Sequence, residues 1–191
     1  MSNVTVTDRF KGARIIALLS IIAGVVLIVA GGITWGTVTS QLKDEKITVA
    51  PITADNPGSL ANKAVQDPFT AFAQANAIKH HALTATNGLT YAELGDAINA
   101  KKAELKAAGT SDADIAKDKD VLALTGQRTT SMNGSFLRSS LFTSVVAYGI
   151  AALVMGLGIL FILVGYAVRV LAVKPETVIA PVAPAAVTAQ V

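Results

Sequence analysis

The sequence has no cysteine and little charge. Without cysteine, the 191-residue chain forms no disulfide, no zinc–thiolate site and no thiol nucleophile. Charged residues make up only 15% of the chain and aromatic residues 5%, whereas 52% of the residues are hydrophobic. This composition disfavours a disordered chain and an ordinary soluble domain alike.

Charge is absent altogether from two long runs. Ile15–Leu42 comprises 28 residues and Ser139–Val168 comprises 30 residues without Asp, Glu, Lys or Arg. A helix needs about 20 apolar residues to cross about 30 Å of hydrocarbon. We therefore predict two transmembrane helices rather than two buried core helices. The first run also exceeds the roughly 7–15 apolar residues of a cleaved signal peptide, so we expect a retained anchor.

The predicted fold class is an all-α membrane protein, in which a two-helix transmembrane hairpin carries an extracytoplasmic cap of short helices. Its predicted segments are a basic cytoplasmic N-terminal segment (1–14), transmembrane helix 1 (15–38), a helical loop domain (39–140), transmembrane helix 2 (141–168) and a disordered cytoplasmic tail rich in Ala, Pro and Val (169–191).

Capping signals predict three short helices in the loop. The first begins at Asp67–Pro68 and ends at Asn87–Gly88; the second begins with the capping box Thr90–Glu93 and ends at Gly109. A third is expected from Ser111 or Asp112 to Gly126, and Ile47–Val49 reads as a brief extended segment. Apolar stripes on the first two helices are expected to pack on each other or on a partner: Phe69, Phe72, Leu83, Tyr91, Leu94, Ile98 and Leu105.

The distribution of charge predicts the topology. The formal net charge of +3 lies entirely on the two ends of the chain, because the eleven basic and eleven acidic residues of the loop cancel. The basic residues of the ends favour a cytoplasmic position for both termini: Arg9, Lys11, Arg14, Arg169 and Lys174. Trp35 and Phe142 are the expected outer interface anchors and Tyr166 the inner one. Topology and anionic lipid account for these charges, so no nucleic-acid partner is expected.

Small residues recur at four-residue spacing in both apolar runs. The pairs are Ser20 and Gly24, Gly32 and Gly36, Ala147 and Ala151, and Ala152 and Gly156. Such pairs let helix backbones approach closely in lipid. We therefore expect the spans to pack on each other, with self-association through a remaining face. Neither run contains an ionisable residue, which disfavours a transporter. A channel built from oligomerised hairpins remains the alternative.

No catalytic residue, cofactor site or metal site is predicted. His80 and His81 are adjacent in a predicted helix, where their side chains point about 100° apart, which disfavours binding of one ion by both. The run Asp112, Asp114, Asp118 and Asp120 lacks the Gly and Glu of a calcium loop at its sixth and twelfth positions. Nucleotide-binding and hydrolase motifs are absent from the sequence. A metal enzyme using the loop is the least favoured alternative.

Several segments resemble a family of small two-span membrane proteins of actinobacteria. The likeness rests on Ile33–Trp35, Gln41–Val49, Pro68–Ala71, Ala73–Ala75, Thr90–Leu94 and Ser135–Ala147, and it thins across Gly95–Met132. Many members carry the label "aromatic ring-opening dioxygenase". A non-haem dioxygenase holds iron through two histidines and a carboxylate, whereas the only two histidines of this chain are adjacent, so the label is not carried over. The resemblance implies an actinobacterial plasma membrane, with the loop on the cell-wall side.

These features predict a non-catalytic integral membrane protein. The expected role is that of an accessory or scaffold component of a larger envelope or respiratory membrane assembly. The expected partners are the lipid bilayer and either other membrane proteins or a second copy of the chain.

Overall fold

The structure is a computed structural model that describes the backbone of residues 6–172 and the side chains of residues 11–172. Five helices follow one another: α1 (Val6–Asp44), α2 (Pro68–Ala85), α3 (Tyr91–Ala107), α4 (Asp112–Ile115) and α5 (Lys119–Leu171). Across residues 6–172 there is no β-strand, and the only β pairing is an isolated antiparallel bridge between Thr48 and Ala64. The all-helical prediction is confirmed, and α1 and α5 are long and apolar enough to cross a membrane. The Arg9 side chain, Lys174 and the tail from residue 173 onward lie outside the described residues.

The predicted caps of α2 and α3 are confirmed. The Asp67 carboxylate accepts hydrogen bonds from the backbone N–H groups of Phe69 (2.9 Å) and Thr70 (3.0 Å), and Pro68 occupies the first helical position. Past the end of α2, Gly88 adopts φ +83° and donates its N–H to the Leu83 carbonyl at 2.7 Å. Thr90 and Glu93 form the expected capping box of α3.

The predicted third helix of the loop is wrong. Its first half is only the four-residue α4, and α5 begins at Lys119 and continues through Gly126 without a break. A glycine inside a helix costs about 1 kcal/mol relative to alanine, which is too little to end a helix whose flanks are packed. Val121 and Ser131 are buried on either side of Gly126, so tertiary packing carries the helix through it.

The described residues fall into two compact units. The first unit contains α1 up to Val26 and α5 from Leu157. The second contains Leu27–Gly156, and therefore the remainder of both long helices, the connecting segment and α2 to α4.

The core of the second unit lies where the connecting segment meets the long helices. The predicted extended segment Ile47–Val49 is confirmed, because Val49 donates to the Lys63 carbonyl at 2.8 Å and Ile47 accepts from Val65 at 2.9 Å. Seven buried side chains form one cluster with this segment: Leu42, Val49, Val65, Ala71, Ala75, Leu141 and Tyr148. The Gln74 side chain accepts from the Ala50 N–H at 2.7 Å and anchors α2 to the segment.

Candidate functional site

In the first unit, α1 and α5 approach so closely that there is no room for side chains at two glycines. A Cβ added to Gly24 would lie 2.5 Å from the carbonyl oxygen of Gly158, and one added to Gly165 would lie 2.7 Å from the carbonyl oxygen of Ala17. Both distances are far below van der Waals contact, and Ala17 itself is fully buried. The two helices therefore pack backbone against backbone.

The second unit contains one similar contact. A Cβ on Gly31 would lie 2.6 Å from Cγ of Met155 and 2.9 Å from the carbonyl oxygen of Ala151. The small residues of these contacts recur every seven positions, as Ala17, Gly24 and Gly31 in α1 and as Ala151, Gly158 and Gly165 in α5. We call these six residues the glycine seam.

The glycine seam includes three glycines that the four-residue pattern did not identify: Gly31, Gly158 and Gly165. Of the predicted helix-packing residues, the structure places Gly24 and Ala151 in the seam. Ser20 lies beside it, because its hydroxyl donates to the Phe161 carbonyl at 2.8 Å. A search for small residues at seven-residue spacing would have found the whole set.

The other predicted packing glycines lie elsewhere on the helices of the second unit. Apart from the adjacent residues and nearby backbone of the same helix, no heavy atom of the described chain lies within 4 Å of a Cβ added to Gly32, Gly36 or Gly156, and the same holds for Gly149. Ala152 is exposed and Ala147 is partly buried. We call Gly32, Gly36, Gly149 and Gly156 the open glycines, because the described chain does not use them for its own packing.

The predicted interface anchors have different surroundings. The rings of Trp35 and Tyr148 pack edge to face with their centroids 4.6 Å apart, and the ring centroids of Phe142 and Phe72 lie 5.8 Å apart. Tyr166, in contrast, is exposed. Tyr148 is 1% exposed; its hydroxyl donates to the Gln66 carbonyl at 3.1 Å and shares a 2.7 Å hydrogen bond with Thr39. Tyr148 lies within the second uncharged run, and nothing in the spacing of that run predicts its burial.

The predicted topology charges that are described lie on helix surfaces. Lys11, Arg14 and Arg169 are all exposed. The Arg14 Nε donates to the Ala172 carbonyl at 3.3 Å, so this cation meets a C-terminal carbonyl of α5 in the first unit.

The two predicted apolar stripes of the cap have different environments. On α3, Leu94 and Ile98 are buried, Leu105 is partly buried, and Tyr91 is exposed. On α2, Leu83 is partly buried, but Phe69 is 76% exposed and Phe72 is 50% exposed. The buried side of α2 is made instead of small and polar residues: Thr70, Ala71, Gln74, Ala75 and Ala77. The two phenylalanines are therefore available to lipid or to a partner.

His81 and several residues of the acidic run make local contacts in the second unit. The imidazole Nε2 of His81 lies 2.9 Å from the Pro51 carbonyl oxygen, and His80 is exposed. Asp118 caps α5 by accepting from the N–H groups of Asp120 and Val121, and Asp112 pairs with Lys106 at 3.5 Å. No cluster of three or more His, Asp or Glu side chains arranged to hold a metal occurs within the part of the chain that the structure describes.

Two titratable groups of α3 are shifted by local partners. The pKa of Glu93 is lowered, first because its carboxylate accepts from the Thr90 backbone N–H at 2.8 Å and then because it accepts from the Thr90 hydroxyl. The pKa of Lys101 is raised, chiefly by its hydrogen bond to Glu104 and also by the charges of Glu104 and Asp120. The first pairing caps the start of α3, and the second joins Lys101 to Glu104 one turn along α3 and to Asp120 at the start of α5.

Comparison with known proteins finds no matching family model, no matching curated protein and no matching solved structure. The resemblance to an actinobacterial two-span family therefore stays a prediction.

Proposed function

We propose that the chain is a non-catalytic integral membrane protein that acts as an accessory or scaffold component of a larger membrane assembly. In this proposal α1 and α5 cross the plasma membrane, both termini are cytoplasmic, and the cap of short helices faces outward. The sequence resemblance supports an actinobacterial plasma membrane, and the apolar stripes of the short helices support a role in an envelope or respiratory assembly.

The open glycines are the observation that carries this proposal. The glycine seam already provides close packing between α1 and α5, so the open glycines serve no packing within the described chain. In lipid, a glycine on an exposed helix face lets a second helix approach closely and gain dispersion contacts. A face of this kind fits a protein whose spans bind the span of a partner.

The apolar surface of the long helices supports the membrane location. Large side chains of α1 and α5 are exposed over much of both helices, for example Ile33 at 65%, Leu153 at 62% and Leu163 at 60%. Exposing such a surface to water is unfavourable by about 25 cal/mol per Å², whereas lipid solvates it without cost. Phe69 and Phe72 add an aromatic surface on α2, beside Phe142 of the second apolar run.

The test of the scaffold role is partner retention by the full-length protein. The protein is purified in mild detergent from its native membrane, and co-purifying proteins are quantified by mass spectrometry for the wild type and for Gly32→Leu/Gly156→Leu. We expect a stoichiometric membrane-protein partner whose yield falls about tenfold in the double variant, because leucine blocks close approach of a helix.

The matched control is Val29→Leu/Val146→Leu, which enlarges two exposed side chains on the same helices without touching a glycine. This control is expected to keep the partner. A solitary wild-type monomer, or equal loss in both double variants, would contradict the scaffold role.

The proposed topology is tested by labelling, which the absence of cysteine makes simple. A cysteine introduced at Ser111 is expected to react with a membrane-impermeant maleimide in intact cells. A cysteine introduced at Gly12 is expected to react only after lysis. The reverse pattern would place both termini outside.

A further inference from the structure

One cavity of the second unit contains two cations without a counter-charge. It has a volume of about 380 Å³ and lies between the end of α2, the start of α3 and the middle of α5. Lys79 and Arg138 line it together with Thr90, Ser131 and Ser135. Within the described residues, no carboxylate oxygen lies within 4.0 Å of either cation.

Arg138 differs from the arginines that have partners. The Nε of Arg128 lies 3.4 Å from the Tyr91 carbonyl oxygen, to which it donates, and its guanidinium lies 4.0 Å over the Tyr91 ring. The Nε of Arg138, in contrast, is shielded from solvent and donates to no acceptor of the described chain; the guanidinium lies 5.6 Å over the Phe142 ring. Removing a charged donor from water without pairing it is unfavourable, so this environment favours an anion beside Arg138.

The start of α3 adds a favourable electrostatic environment to the same cavity. Tyr91 and Ala92 both line it, and as the first two residues of a 17-residue helix they have N–H groups that no carbonyl of the helix accepts. The positive end of the helix dipole therefore faces the region of Lys79 and Arg138. The nearby Glu93 carboxylate is held by the Thr90 N–H and hydroxyl and does not line the cavity.

The position of the cavity along the chain indicates the source of the anion. Arg138 immediately precedes the uncharged run that begins at Ser139. If that run crosses a bilayer, Arg138 lies at the depth of the lipid headgroups, where phosphate is abundant.

We propose that this cavity binds a phosphate group, carried either by an acidic phospholipid headgroup or by a small soluble phosphate. Arg138 provides the fork-shaped donor set that suits phosphate oxygens, Lys79 provides a second positive charge, and the start of α3 provides backbone N–H donors. The proposal does not depend on the scaffold role, but its phospholipid source rests on the proposed crossing of the membrane by α5.

The test is a titration of the full-length protein in a neutral detergent with two probes, phosphatidylglycerol and inorganic phosphate. Binding is followed by native mass spectrometry and by the thermal unfolding midpoint. We expect saturable binding of phosphatidylglycerol that becomes at least about tenfold weaker in Arg138→Gln, since a charge-assisted hydrogen bond is lost. Lys43→Gln, which removes an exposed cation beside the other uncharged run, is the matched control and is expected to bind as the wild type does.

Each outcome decides the proposal. Binding of phosphatidylglycerol alone assigns the site to a lipid headgroup, and binding of both probes shows that phosphate suffices; either result supports the site if Arg138→Gln loses it and Lys43→Gln keeps it. No binding of either probe, or equal binding by Arg138→Gln, overturns the proposal. If circular dichroism shows that Arg138→Gln does not fold, the exposed Lys79→Gln decides instead, and unchanged affinity in that variant overturns it.

Discussion

The two units of the molecule differ in their main helix contacts, although the Gly31 contact of the second unit resembles those of the first. In the first unit, α1 and α5 meet where side chains are missing, at Gly24 and Gly165. In the second unit, the same two helices and the connecting segment meet around large side chains, with Tyr148 as the most buried aromatic residue and with hydrogen bonds from its hydroxyl. The contacts at Gly24 and Gly165 depend on the absence of side chains there. The contacts around Tyr148 depend on hydrogen bonds between polar groups.

This difference matches the surroundings that we propose for each unit. Between helices in lipid there is no hydrophobic driving force, so close backbone contact and dispersion must provide the attraction. Near the membrane surface, the connecting segment brings backbone polar groups that need hydrogen-bond partners. We therefore expect substitutions that add a methyl group at the helix contact to destabilise the first unit most. Substitutions that remove a hydroxyl group are expected to destabilise the second unit.

The largest effect is expected from a single methyl group in the glycine seam. The Cβ atom introduced by Gly24→Ala would lie 2.5 Å from the Gly158 carbonyl oxygen. The helices must therefore separate or bend. We expect a loss of about 1–3 kcal/mol in the free energy of unfolding, as for an overpacked core. The measurement is unfolding in mixed micelles with increasing dodecyl sulfate, followed by circular dichroism.

Gly32→Ala is the matched control, because it adds the same methyl to the same helix at an open glycine. Its expected effect is zero or a stabilisation of up to about 1 kcal/mol, since alanine is the better helix former. Equal destabilisation by both variants would remove the distinction between the glycine seam and the open glycines.

A smaller loss is expected when one oxygen is removed from the second unit. Tyr148→Phe deletes the hydroxyl that meets Thr39 and the Gln66 carbonyl but keeps the ring against Trp35. We expect the loss of these two hydrogen bonds to lower the free energy of unfolding by about 1–2 kcal/mol. Because Trp35 is the only tryptophan, its fluorescence reports unfolding of this region directly.

Tyr166→Phe serves as the control, since Tyr166 is 64% exposed and no hydrogen bond joins its hydroxyl to the described chain. Its expected effect lies within about 0.5 kcal/mol. A double-mutant cycle of Tyr148→Phe with Thr39→Val isolates the shared hydrogen bond. A coupling energy of zero would show that the hydrogen bond between Tyr148 and Thr39 adds nothing to the stability, which would leave only the Gln66 carbonyl as a partner of the hydroxyl.

Local signals in the sequence predicted the parts of the fold that local chemistry determines. Asp67 with Pro68, Thr90 with Glu93, and Gly88 mark helix ends through hydrogen bonds within a few residues. The features that were missed depend on residues far apart in the chain. Gly126 does not end a helix, because the packing of its neighbours outweighs its propensity, and Thr70, Ala71, Gln74, Ala75 and Ala77, which no pattern identified, form the buried side of α2. Packing of Phe69 and Phe72 on a partner stays a prediction.

The same reasoning explains how much of the candidate site was predictable. Gly24 and three of the open glycines, Gly32, Gly36 and Gly156, were identified as packing residues, but a four-residue spacing does not say which of them face the other helix. That choice depends on the seven-residue repeat shared by α1 and α5. The cavity lined by Lys79 and Arg138 forms where α2, α3 and α5 come together. A single sequence contains no local signal for a contact among three helices.

The smallest expected effect is a pH dependence confined to the start of α3. The pKa of Glu93 lies below its ordinary value of 4.5, because the carboxylate accepts hydrogen bonds from Thr90. A carboxylate with a lowered pKa stabilises the folded state above the unfolded-state pKa, and this contribution is lost as the pH falls through the folded-state pKa. We therefore expect the Thr90 amide resonance to titrate with a midpoint below 4.5.

Glu93→Gln is expected to abolish this titration, whereas Thr90→Ala should move the Glu93 midpoint back toward its ordinary value, because the hydroxyl donor is gone. A wild-type midpoint at or above 4.5 would mean that the capping box does not form in solution, and the start of α3 would then be held by packing alone.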